Sequence, residues 1–124
     1  MTKVFNFGHP LSQSAITKIE QYFGQVQHIK VGVQLNVFDA DAPGIEQQVL
    51  DVVRPYATDF NGAERMVIIS PGMSNAAWVL AAIIHGLSGR FPELVELRLN
   101  SDKVFDFYRV IDLQEFRNEV RKIR

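Results

Sequence analysis

The chain predicts an α/β fold, a single three-layer domain over residues 1–124 built on a mainly parallel sheet whose last strand runs antiparallel. Three observations predict it. Met66-Val67-Ile68-Ile69 is a short, unbroken apolar run of the kind found in strands buried on both faces. Strand-like and helix-like apolar patterns alternate along the chain, as they do where crossover helices join parallel strands. No linker, internal repeat or low-complexity tract interrupts them, and 124 residues suffice for one core but not for two.

Val4-Phe5-Asn6-Phe7 is expected as the first strand, and Gly8-His9-Pro10-Leu11-Ser12 as the loop that ends it. Ser12 is placed to cap a helix carrying Ala15, Ile16, Ile19, Tyr22 and Phe23 on one face, with Gly24 closing it. Ile29, Val31, Val33, Leu35 and Val37 then alternate with polar residues, which predicts a half-covered strand toward a sheet edge. After the loop Asp39-Ala40-Asp41-Ala42-Pro43-Gly44, the spacing of Ile45, Val49, Val52, Val53 and Tyr56 predicts an amphipathic helix over 45–56. Residues 58–64 read as a polar connection.

The central apolar run stops at Ser70-Pro71-Gly72-Met73-Ser74-Asn75, where Pro71 ends the ladder and Gly72 permits a turn. Ser74 or Asn75 is expected to cap a helix running from Ala76 through Ile84 to a stop at Gly86. Being apolar on nearly every side, it is expected to be buried on nearly every side, with Trp78 in the core or a subunit interface. Residues 94–99 form a strand, Asn100-Ser101-Asp102-Lys103 a hairpin connection, and residues 104–111 an antiparallel partner. The last helix starts at Asp112, with Glu115 completing a capping box, and is expected to turn Leu113, Phe116, Val120 and Ile123 inward.

The resulting order, β-α-β-α-β-α-β-β-α, describes a Rossmann-like domain with right-handed crossovers and helices on both faces. In such a sheet the first and third strands are neighbours, with the second outside the first. Their crossovers leave toward opposite faces and open a crevice at the carboxyl ends. The loops 6–12 and 70–75 meet there, beside a helix N-terminus whose free N–H groups favour an anion.

Several functions are excluded. The chain has no cysteine, so disulfides, thiolate metal sites and cysteine nucleophiles are absent. A formal net charge of −1 argues against duplex nucleic acid as a partner. No apolar run reaches the roughly 18 to 20 residues of a membrane span and no signal sequence is evident, so a cytoplasmic protein with no membrane partner is expected. Neither G-x-G-x-x-G nor the P-loop motif occurs, and the carboxylates of a phospho-acceptor site are replaced by Asn6 and Ser70. Asp39 and Asp41 have no third acid beside them and read as turn residues, so neither metal nor cofactor is expected.

His9 is the most reactive candidate, able to serve as base, acid or anion partner. His85 reads as a core or interface residue and His28 as surface. Ser12, Ser70 and Ser74 lack a G-x-S-x-G setting and an activating pair, which favours capping and phosphate contact over nucleophilic attack. The amides of Asn6, Asn75 and Gln34 can read base edges or sugar hydroxyls.

Val4-Phe5-Asn6-Phe7-Gly8-His9-Pro10-Leu11-Ser12, then Ser70-Pro71-Gly72 followed by Ala76-Ala77-Trp78-Val79-Leu80, then His85-Gly86-Leu87-Ser88-Gly89-Arg90-Phe91-Pro92 and Tyr108-Arg109-Val110-Ile111-Asp112-Leu113-Gln114 occur in this order. Across nearly its whole length the chain thereby resembles the CRISPR-associated Csx proteins numbered fifteen in that series. N-F-x-H-P-L and H-G-x-x-G-x-F-P are the most specific of these motifs. The family pattern often places an asparagine before the proline-glycine pair where this chain has Ser70, which leaves the backbone as the carrier of a role there.

The resemblance implies an ancillary protein of type III CRISPR signalling whose ligand is cyclic tetra-adenylate. It implies a protein that either destroys this messenger or sequesters it as a homodimer or higher homo-oligomer, and the absence of an evident catalytic pair in the sequence favours sequestration. Joined to the crevice, it nominates Asn6, Gly8, His9, Pro10, Ser12, Gln34, Ser70, Pro71, Gly72, Met73, Ser74 and Asn75 as ligand-binding residues. One alternative is a metal-independent ring nuclease using His9, Ser12 and Ser74, in which the protein positions a ribose 2′-hydroxyl for in-line attack. The other is a structural subunit that binds no nucleotide.

Overall fold

The computed structural model describes residues 1–62 and 65–124. Strand β1 (Thr2–Asn6) pairs in parallel with β2 (Val26–Lys30) on one side and β3 (Val67–Ile69) on the other. β3 pairs in parallel with β4 (Glu93–Leu99), and β4 antiparallel with β5 (Phe105–Asp112), so the sheet order is β2-β1-β3-β4-β5. This is the expected α/β arrangement, with the first and third strands adjacent and the second at an edge.

Alternation along β1 and β3 divides the core in two. Val4, Val67 and Ile69 pack with Val95 and with Ile19 of α1 (Gln13–Phe23) on one face. Phe5 and Ile68, with Phe7 and Met66 at the strand ends, pack on the other face against α2 (Ile45–Val53), α3 (Ala57–Asn61) and α4 (Ser74–Ser88). Helices on both faces make the three layers. Among the described residues no helix is long and apolar enough to cross a membrane.

The second strand is shorter than its alternation suggests. β1 ends at Asn6, whose carbonyl accepts from both Val31 N (2.9 Å) and Gly32 N (3.0 Å), so the residues beyond have no ladder to join. Gly32 turns the chain at φ +65°, and Val31, Val33 and Leu35 pack half-buried against the α2–α4 side of the core.

The helix expected over 45–56 breaks into α2 and a 3-10 turn at Arg54–Tyr56, where Pro55 supplies no N–H. The polar connection expected over 58–64 begins as α3, because Phe60 is fully buried against Phe5, ring centroids 4.6 Å apart. Ala63 and Glu64 of that connection lie outside the described residues.

α4 runs through Gly86 and ends at Gly89, which takes the left-handed φ of +76° and donates its N–H to His85 O (2.8 Å). It is not buried on nearly every side. Ala76, Leu80 and Ile84 are buried, but Trp78 is 79% exposed, and His85 is exposed with its ring against Phe91. A helix on the outside of a sheet meets a neighbour only along its inner stripe, however apolar the rest.

The same holds for α5 (Leu113–Arg121), which packs on β4 and β5. Asp112 caps it as expected, accepting from Glu115 N at 3.0 Å, but Phe116, Val120 and Ile123 point outward and are exposed.

Candidate functional site

β1 and β3 end side by side, and Phe7 N donates to Ile69 O at 3.0 Å, so the loops after them leave the sheet together. Asn6 organises the first loop from beneath. It is buried, its Nδ2 donates to His9 O (2.9 Å) and its Oδ1 accepts from Gly8 N (2.8 Å). This doubly bonded carboxamide positions the loop.

Gly8 is where the two loops touch. A Cβ at Gly8 would stand 2.7 Å from Ser70 O, closer than real Cβ atoms approach a carbonyl, so this contact requires glycine. His9 reaches over the second loop, its Nε2 3.8 Å from where a Cβ on Gly72 would lie.

Between the loops lies an open crevice of about 280 Å³. Gly8, His9, Pro10, Ser70 and Gly72 form one part of its lining, while Leu11, Ile69, Val95, Leu97 and Phe105 form an apolar part. No lysine or arginine is among these lining residues. An anion held here would rely on backbone N–H groups and the His9 imidazole.

The other nominated residues stand around the crevice or away from it. Pro71 of the second loop is buried, and Ser70 Oγ donates to its carbonyl at 3.2 Å. Met73, Ser74 and Asn75 are exposed at the start of α4. Met73, not Ser74 or Asn75, is the N-cap of that helix, and its side chain makes no capping bond. The first-turn N–H groups of α4 are therefore not satisfied by the helix itself.

Ser12 is committed elsewhere. Its Oγ accepts from Ala15 N (3.1 Å) as the cap of α1 and donates to Phe105 O (3.3 Å). Gln34 is exposed on the segment after β2 and does not line the crevice. Among the described residues no hydrogen bond is made to the His9 ring, so the general-acid/base partner that catalysis would want is not assembled around it. Asp39 acts as a turn residue, its Oδ1 accepting from Asp41 N at 3.0 Å. His28 is half-buried, with Nε2 3.2 Å from Glu20 Oε1.

Two groups at or beside the site are not among the binding residues nominated from the sequence, where Phe105 reads only as apolar surface for assembly. The first is the apolar wall of Leu11, Val95, Leu97 and Phe105. Its signal is the alternation Val95-Leu97 in a strand that lies next to β3, which becomes visible once the strand order is known. The second joins α1 to β5. The carboxylate of Asp106, only 7% exposed, accepts from Lys18 Nζ (2.7 Å), from Ser14 Oγ (3.0 and 3.1 Å) and from Phe107 N (2.8 Å). The Lys18 ammonium, opposed by burial and helped by the Ser14 hydroxyl and the Phe107 N–H, holds this carboxyl down at about 2, against 3.8 ordinarily.

Compared with protein-family models, with curated proteins and with solved structures, the chain finds no match.

Proposed function

We propose that this protein binds cyclic tetra-adenylate at the crevice between the β1 and β3 loops and sequesters it in the cytoplasm, damping the effectors that the messenger activates. The observation that carries the reading is the contact of Gly8 with Ser70 O, which brings two backbone-rich loops together at the carboxyl edge of the sheet. Beside them stands α4, a helix of 15 residues whose N-cap makes no side-chain bond. Phosphates seek such N–H groups, and bases seek apolar walls of the kind Leu11, Val95, Leu97 and Phe105 supply. The motif resemblance supplies the ligand's identity, and the ligand's own symmetry favours a homodimer or higher homo-oligomer.

Binding is favoured over cleavage by the state of the candidate catalytic groups. Ser12 Oγ is held as a cap and bonded to Phe105 O, and the His9 ring lacks a hydrogen-bonded partner among the described residues. Incubation with labelled cyclic tetra-adenylate without metal, following both complex and ligand over time, tests the reading. Saturable binding with the ligand intact is expected. Linear products at more than one turnover would make the protein a ring nuclease, and no binding would discard the reading.

A further inference from the structure

The crevice is chemically divided. Gly8, His9, Ser70 and Gly72 bring backbone and imidazole to one part, whereas Leu11, Val95, Leu97 and Phe105 bring only carbon to the other. Phe105 differs from the rest of that wall. It is 58% exposed, so packing does not account for an aromatic ring at this position. Its backbone is nonetheless held at two points: Ser12 Oγ donates to its carbonyl at 3.3 Å, and the next residue, Asp106, is tied to Lys18 and Ser14 of α1. An exposed ring on a fixed backbone loses little conformational freedom when something stacks on it.

Size limits what can enter. About 280 Å³ lies just below the roughly 300–1,000 Å³ of pockets that enclose a drug-sized molecule. It holds one nucleobase with its sugar and cannot enclose a cyclic tetranucleotide.

We infer that the apolar part of the crevice is a subsite for a single nucleobase, with Phe105 as its stacking face, and that one nucleotide of a larger ligand inserts there with its phosphate toward Gly8, His9 and Gly72. This deepens the proposed function and rests on it for the identity of the ligand. The subsite itself rests on the wall, the exposed ring and the anchoring of its backbone.

Calorimetric titration of the wild-type protein and of Phe105→Ala, Phe105→Leu and Phe105→Trp with cyclic tetra-adenylate, adenosine 5′-monophosphate and ribose 5-phosphate tests it. Phe105→Ala and Phe105→Leu are expected to melt like wild type yet lose roughly 5- to 150-fold in affinity for the adenine ligands, the range that loss of one base–aromatic stack gives. Phe105→Trp is expected to retain that affinity, and ribose 5-phosphate to bind all four proteins alike. Adenine affinity that Phe105→Leu leaves unchanged, or equal wild-type affinity for adenosine 5′-monophosphate and ribose 5-phosphate, overturns the subsite while leaving sequestration standing. Binding of the mononucleotide through Phe105 without binding of cyclic tetra-adenylate does the reverse. Failure of both adenine ligands to bind overturns both.

Discussion

The side-chain amide of Asn6 donates to the backbone carbonyl of His9 at 2.9 Å, so a buried residue at the end of β1 sets the position of an exposed imidazole in the following loop. Asn6→Ala leaves Gly8 N and His9 O without this partner. A loss of about 1–3 kcal/mol is expected, the usual cost of stranding part-buried polar groups, and is read by denaturant titration. Ligand affinity is expected to fall with it, because the His9 loop is no longer held.

His9 itself is exposed and bears no packing load. His9→Ala is expected to keep stability within about 0.5 kcal/mol of wild type. Affinity for cyclic tetra-adenylate is expected to drop by about tenfold, the loss of about one charge-assisted hydrogen bond to a phosphate. A direct titration that shows unchanged affinity would remove His9 from the site.

The two loop glycines are expected to behave differently. At Gly8 a Cβ would meet Ser70 O at 2.7 Å, and the obstructing atom is backbone. Gly8→Ala should therefore push the loops apart at a cost of about 1–3 kcal/mol and weaken binding. At Gly72 the nearest atom is His9 Nε2 at 3.8 Å, an ordinary contact, so Gly72→Ala should melt near wild type. Thermal unfolding of the two variants side by side checks the contrast, and equal melting temperatures would contradict it.

Asp106 sets an acid limit. Its carboxyl is depressed to about 2 by Lys18, so its contribution to stability is complete above the unfolded value near 3.8 and is lost as pH falls through 2. Asp106→Asn removes that contribution at every pH. The melting temperatures of wild type and Asp106→Asn should differ at neutral pH and converge on acidification from about 4 to about 2. A constant gap across that range would mean that the Lys18 and Ser14 contacts do not depend on the charge.

Much of this architecture is legible along the chain because it depends on near neighbours. Ser12 caps α1 and Asp112 caps α5 through bonds to the N–H groups of Ala15 and Glu115, each three residues on, and a capping residue followed by an amphipathic period announces such bonds locally. Met66 to Ile69 reads as a central strand because it is apolar on both faces, and both faces are covered. The crevice loops are legible for a topological reason, since adjacent strands with divergent crossovers open a gap wherever they occur.

What depends on distant partners is not written in local periodicity. The alternation of Val31 to Val37 suits a strand, but a ladder needs a neighbour, and β1 stops at Asn6. Trp78, Phe116 and Ile123 have the spacing of inward residues, yet no element lies over them among the described residues, and they face solvent. Phe60 sits in a polar stretch and is buried because Phe5, 55 positions earlier, lies beneath it.

The amino-acid order alone thus settled the α/β class, the parallel sheet with its antiparallel last strand, the caps of α1 and α5 and the two loops at the carboxyl edge, but not the ends of α4. Folding in three dimensions assigned the carboxamide of Asn6 to the loop, required glycine at position 8, joined Asp106 to Lys18 and placed Phe105 on the wall of the crevice. The division has one physical cause. Backbone geometry and burial periodicity act over a few residues, whereas the surroundings of a side chain are set by whichever strand or helix the fold lays beside it.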